Sequence, residues 1–276
     1  MASHMLPMPI FRLVAVLGTL TASCCVSHHP VKAPDWTNTL GMTFVQVPDG
    51  EQTILMACLE TQHRHLAPFR RHYGRPSSDA AQPAAHVSWK EAAEFCRWLT
   101  NKERAAGVIT HQQTYRLPTD HEWSCAVGLG RLEKKFERPE AKSGRIPSRY
   151  PWGVQWPPPR GAGNLCGRES KADFFDNFIA NYHDGLSGGQ VAPEASSANE
   201  LGLHDLSGNL WEWCEDSFRE GTDWRVLRGG SWKSARPQTL LSSHRTHDPE
   251  DYRSDSVGFR CVLASGGQSV SQNELP

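Results

Sequence analysis

Residues 130 to 200 constrain this chain most. Pro, Gly, Asn and Asp dominate the stretch, and its apolar pieces are too short for a long helix or strand. A coil this long inside a compact domain is either functional or disordered. The embedded Trp152, Trp156 and Tyr182 argue for an ordered, packed coil. Ten Trp with 23 Gly and 19 Pro in 276 residues extend the same character along the chain. Backbone amides in such a chain still need partners, so side-chain caps and bound ions are expected inside it.

Short regular elements punctuate the rest. Ser88-x-x-Glu91 forms a capping box, with Ser88 taking the amides and Glu91 reaching back. Trp89, Ala92, Ala93, Cys96 and Leu99 then recur at helical spacing, and Gly107 ends the run. A second box, Thr119-x-x-Glu122, opens a shorter helix with Trp123, Ala126 and Val127 inward and Gly128 or Gly130 as its stop. A third helix is expected from Thr61 to Arg71, with Leu66 and Phe69 inward. Met42–Val47, Trp224–Arg228 and Gly258–Leu263 read as strands. The class is α+β with low regular secondary structure.

Charge narrows the function. Lys and Arg total 29 against 30 Asp and Glu, a net charge of −1. No basic excess invites nucleic acid, and no acidic block forms a solvating tail. Ile10 to Ala22 is apolar apart from Arg12 and two threonines, and it is shorter than the roughly 20 residues a spanning helix needs. A positive residue, an apolar run and small residues fit a secretory signal. Cys24 adds a possible lipid anchor, the one expected route to a membrane, although Leu20 stands four places before it where three is usual. Residues 1–25 are therefore expected to be a leader and 26–38 a polar spacer. Residues 39–264 read as one domain and 265–276 as a disordered tail. The expected location is the periplasm, cell envelope or exterior. Six cysteines lie beyond the leader: Cys58, Cys96, Cys125, Cys166, Cys214 and Cys261. An even number permits disulfides in an exported chain, with the pairing open.

Seven motifs carry a resemblance in order. They are LGMTFVQVPDG at 40–50, VSW…FCRWLT at 87–100, YRLPTDHEWSCAVGLG at 115–130, YPWG at 150–153, LGLHDLSGNLWEWCED at 201–216, RVLRGGSW at 225–232 and GFRC at 258–261. GNL at 163–165 falls in the same order. Together they resemble the formylglycine-generating enzymes, or sulfatase-modifying factors. The resemblance implies a variant of the C-type lectin fold and two calcium sites. The first matches Asn164, Leu165, Asp184 and Leu186. The second matches Asp205, the carbonyls of Gly208 and Leu210, and Glu212. Such mixtures of carboxylates and carbonyls suit calcium, which takes six to eight hard oxygens.

The family oxidises a sulfatase cysteine to formylglycine, using two copper(I)-binding cysteines at the third and eighth places after RGGS. Those places here hold Ser234 and Thr239. Copper(I) prefers soft thiolates, so copper is not expected. The resemblance also makes Cys261 half of a disulfide whose partner position holds Val127. His244-x-x-His247-Asp248 is a metal-ligand candidate, and relatives include iron-dependent sulfoxide synthases. Their His-x-x-x-His-x-Glu motif is absent, and His63-x-His65 with His72 is a different pattern. A ligand groove is expected from Ser231, Trp232, Arg236, His244 and Arg245, because Trp and Arg favour recognition surfaces. The leading reading is an exported, calcium-stabilised module without oxidase activity that binds a peptide, glycan or protein. The alternatives are an oxidase working through relocated cysteines and a lectin-like surface-display protein.

Overall fold

Alternating side chains place two sheets between two apolar cores. The computed structural model describes residues 33–50, 52–70, 79–174, 177–186, 189–192 and 196–266. The leader, Cys24, Cys25, His72 and most of the tail lie outside them. A five-stranded sheet has the order β1-β2-β3-β9-β4. Its strands are β1 (Trp36–Thr37), β2 (Thr43–Asp49), β3 (Gln52–Ala57), β4 (Gln113–Arg116) and β9 (Val262–Ser265). A four-stranded sheet has the order β7-β6-β5-β8. It contains β5 (Trp211–Ser217), β6 (Trp224–Arg228), β7 (Thr246–Pro249) and β8 (Val257–Gly258). The first strand falls inside the expected spacer.

Successive strand residues point to opposite faces. Phe44, Trp213 and Leu227 enter the core under helix α2 (Trp89–Ala105), beside Phe95 and Leu99. Their neighbours Val45, Cys214 and Val226 enter the other core, against Trp123 and Ala126 of α3 (Asp120–Ala126). A small third core joins Leu165, Ile179 and Tyr182 of the coil to Leu240, flanked by Trp152. Tyr182 and Trp152 thus pack the coil as expected, whereas Trp156 is 36% exposed.

Thr119 and Glu122 form the full capping box expected for α3. Ser88 accepts from Glu91 N–H at 3.3 Å, but Glu91 does not reach back. Arg70, at 2.6 Å, and Arg253 draw its carboxylate away. The helix expected over Thr61–Arg71 shrinks to α1 (His63–Leu66). Thr61 N–H donates to Phe259, and the opening amides of His63 and Arg64, which have no intrahelical partner, donate to Gln82 and Ala80. The strand expected over Gly258–Leu263 is split between β8 and β9, because Arg260 turns inward to Glu212. Two single-turn helices, α4 (Pro139–Lys142) and α5 (Lys171–Phe174), and a 3-10 turn at Arg168–Ser170 complete the elements. No helix among the described residues is long and apolar enough to cross a membrane.

Candidate functional site

The RGGS turn closes β6. Gly229 and Gly230 take φ of 94° and 81°, a region glycine enters without steric cost. A Cβ on Gly230 would also stand 2.8 Å from Leu240 Cδ2. The chain folds back, and Ser231 N–H donates to Ser234 Oγ at 3.0 Å. Ser234 is buried and Thr239 half-buried. Both family redox positions therefore present hydroxyls, which are poor ligands for a soft ion and cannot enter a mixed disulfide.

The expected groove does not assemble as one surface. Ser231 and Arg245 are only 1% and 3% exposed. Arg245 is pulled inward by Asp120 and Glu133. His244 lies 6.0 Å from the Trp211 ring; burial, with Arg228 and Arg245 nearby, lowers its pKa to about 4. His247 instead stacks on Trp224 at 4.2 Å, so it does not converge with His244 on a metal. Trp232 donates its indole N–H to the Asp255 carbonyl at 3.3 Å, and Arg236 is exposed. A cleft of about 270 Å³ opens elsewhere, lined by Pro151, Trp152, Arg160, Ser197, Asn199 and Ser207 among others. The Trp152 ring stacks on Tyr150 at 4.8 Å beside it.

Two buried charge centres flank Trp123. In the first, Asp120 meets Arg228 at 2.5 Å, Arg245 at 2.9 Å and Lys142 at 2.6 Å. Glu133 joins through Arg245 at 2.5 Å. Burial alone would raise the Asp120 carboxyl, but the surrounding cations hold it far below its ordinary range. In the second, Arg260 grips both oxygens of Glu212, at 2.6 and 2.8 Å, while Trp123 donates to one of them at 3.0 Å. Asp205 accepts from Ser196 N–H at 3.0 Å. Glu60 accepts from Asn209 Nδ2 at 2.5 Å and from Leu210 N–H at 3.0 Å. Burial, and then Asp205 and Glu212, push the Glu60 carboxyl well above its ordinary value. This second centre contains the matched calcium residues Asp205, Gly208, Leu210 and Glu212. Glu60 belongs to it without any motif of its own.

The other matched set lies alongside. Asn164 bridges Gly208 and donates its amide to Asn209 Oδ1 at 3.0 Å and to the Gly189 carbonyl at 2.9 Å. A Cβ on Gly208 would stand 2.1 Å from the Asn164 carbonyl, so only glycine permits this approach. Asp184 accepts from Leu165 N–H at 3.2 Å and Leu186 N–H at 2.9 Å. Burial lifts its carboxyl above the ordinary value. The matched sets offer carboxylate, amide and carbonyl oxygens, the hard donors that calcium takes. Glu212 keeps accepting capacity beyond its Arg260 and Trp123 bonds, since a carboxylate offers about four lone-pair sites.

The described cysteines are free thiols. Cys96 and Cys261 meet at 3.6 Å in the core. Cys261 therefore faces Cys96 across the core and not Val127, which caps α3. The sequence concealed this pair because the residues lie 165 places apart. Cys166 turns its thiol to the Asn177 carbonyl at 3.1 Å.

Comparison with known proteins agrees with this geometry. The Sulfatase-modifying factor enzyme 1-like domain matches residues 24–265. The mouse inactive C-alpha-formylglycine-generating enzyme 2 is 32% identical over 191 residues, covering 67% of this chain and 50% of that protein. The formylglycine-generating enzyme of Thermomonospora curvata is 27% identical over 204 residues, covering 65% of this chain and 55% of that protein. Among solved structures, CarF matches with a TM-score of 0.54 at 18% identity, covering 81% of this chain and 98% of that one. PvdO from Pseudomonas aeruginosa matches with 0.51 at 16% identity, covering 81% and 91%. At those identities the structural likeness concerns the fold. The chain belongs to the sulfatase-modifying factor family and has its formylglycine-generating-enzyme-like variant of the C-type lectin fold. The relatives it matches include proteins named as inactive and proteins named as formylglycine-generating enzymes, and Ser234 and Thr239 stand at its two redox positions. It spans about half the length of those inactive relatives.

Proposed function

We propose that this protein is a binding or scaffold module that does not generate formylglycine. One observation carries the reading: hydroxyls occupy both redox positions, Ser234 and Thr239. The thiol pair in contact, Cys96 and Cys261, does not replace them. Its members are 1% and 0% exposed, and burial raises the Cys96 pKa strongly. A core thiol is protonated and out of reach of a substrate peptide, whereas exchange needs an accessible thiolate.

The proposed ligand is a peptide or glycan. The cleft beside Trp152 and Arg160 supports it, with one aromatic face and a guanidinium as its recognition chemistry. Calcium is the proposed structural cofactor, held by the Asp184 and Asp205 sets. Export is proposed from the Ile10–Ala22 run, and an oxidising compartment would close Cys96 and Cys261 into a disulfide. Peptide mapping without reductant checks that closure.

The deciding experiment supplies copper, oxygen, a reductant and a Cys-x-Pro-x-Arg peptide. The expected result is no aldehyde from the natural chain and copper(I) binding gained by the Ser234→Cys, Thr239→Cys double variant. Aldehyde made by the natural chain would establish the oxidase reading instead. Binding on peptide and glycan arrays, lost in Trp152→Ala, then identifies the ligand class.

A further inference from the structure

A different cluster lies along another face of α3. His121 and Cys125 stand four places apart, on one face of that helix. Asp49, the last residue of β2, approaches the same face. His121 Nε2 lies 3.3 Å from Asp49 Oδ1, and Cys125 Sγ lies 4.0 Å from that oxygen. Ligand atoms of all three residues fall within 4.8 Å of one another. We propose that Asp49, His121 and Cys125 form a site for a borderline divalent metal ion of the zinc or cobalt(II) kind.

The spacing supports this. Tetrahedral zinc bonds of about 2.0 Å to oxygen and nitrogen and 2.3 Å to sulfur put N···O near 3.3 Å and S···O near 3.5 Å. The first distance is already met, and the second needs a thiol shift of about half an ångström by the same geometry. The mixed carboxylate, imidazole and thiolate set selects a borderline ion over calcium or copper(I).

His121 is 8% exposed, and its Nε2 is the ring nitrogen turned to Asp49. Gly130 also leaves room for the thiol: a Cβ there would stand 2.4 Å from Cys125 Sγ. Lys135 holds Asp49 Oδ2 at 2.7 Å, which leaves Oδ1 turned toward His121 and Cys125. On metal binding Cys125 gives its proton to solvent and donates a thiolate lone pair, with no change of oxidation state.

Cobalt(II) chloride, added to the calcium-loaded full chain, is the direct probe. The expected result is a thiolate-to-cobalt charge-transfer band at one ion per chain. Cys125→Ser abolishes it, Cys166→Ser leaves it, and His121→Gln weakens binding at least about tenfold. Absence of the band, or its survival in Cys125→Ser, overturns the proposal. A measurement on the natural chain covers the case of a variant that does not fold. Zinc chloride is expected to slow alkylation of Cys125, followed by peptide mass, by about tenfold. Equal rates with and without zinc overturn the proposal as well.

Discussion

The two charge centres beside Trp123 are built from the same residue types with opposite balance. Around Asp120 three cations, Arg228, Arg245 and Lys142, face two carboxylates, Asp120 and Glu133. Around Arg260 one guanidinium faces Glu212, with Glu60 and Asp205 adding charge. The first centre is electrostatically complete from its own side chains. The second sets several carboxyl groups about one guanidinium, with Glu60 pushed toward its neutral form, and it is there that calcium is proposed. Breaking a buried pair costs far more than the pair itself gains, because a charge is left uncompensated.

Removing the central partner should separate them most strongly. Asp120→Asn and Arg260→Met are each expected to lose about 3–5 kcal/mol in urea unfolding at neutral pH. Excess calcium should restore part of the Arg260→Met loss and none of the Asp120→Asn loss. Equal responses would dissolve the distinction between the centres. Calcium itself comes next. At a hundredfold excess over Kd it contributes about 2.7 kcal/mol, or roughly 5–10 °C in Tm for a domain of this size. An unchanged Tm in excess EDTA, with no calcium by elemental analysis, removes calcium from the fold.

Acid and base should then pull the centres apart. Asp120 and Glu133 have lowered carboxyls, so their contribution is full above the ordinary carboxylate range. It is lost as pH falls through their folded values. Glu60 is raised, so its contribution is full below its ordinary value and is lost as pH rises through the folded one. In EDTA, Tm should decline on the alkaline side of the carboxylate range, and calcium should flatten that decline. Asp120→Asn should flatten the acid limb alone. Scans of Tm against pH with and without calcium read both signs. The smallest effect is expected from Lys142→Met, about 1 kcal/mol, since two guanidinium groups still face two carboxylates.

Local rules made some parts legible. Thr119 and Glu122 needed only a four-residue pattern to announce α3, and RGGS announced the turn at Gly229 and Gly230. Ser88 was read correctly as a cap, while its partner Glu91 was not, because Arg70 and Arg253 arrive from distant segments. Thr61–Arg71 has a helical pattern of which only His63–Leu66 closes into a helix. Arg245 looked like a recognition residue until its charge partners at Asp120 and Glu133 placed it inside. Nothing around Glu60 or Cys96 in the sequence signalled Arg260 or Cys261.

The order of motifs determined the family, the loop-rich α+β class and the exchange of thiols for Ser234 and Thr239. Those are properties of residue identity and short spacing, which a linear chain displays in full. The contact of Cys96 with Cys261, the two buried charge centres and the meeting of Asp49 with His121 and Cys125 were decided only in three dimensions. Burial and Coulomb interaction depend on which distant segments come together, and no local pattern encodes that distance.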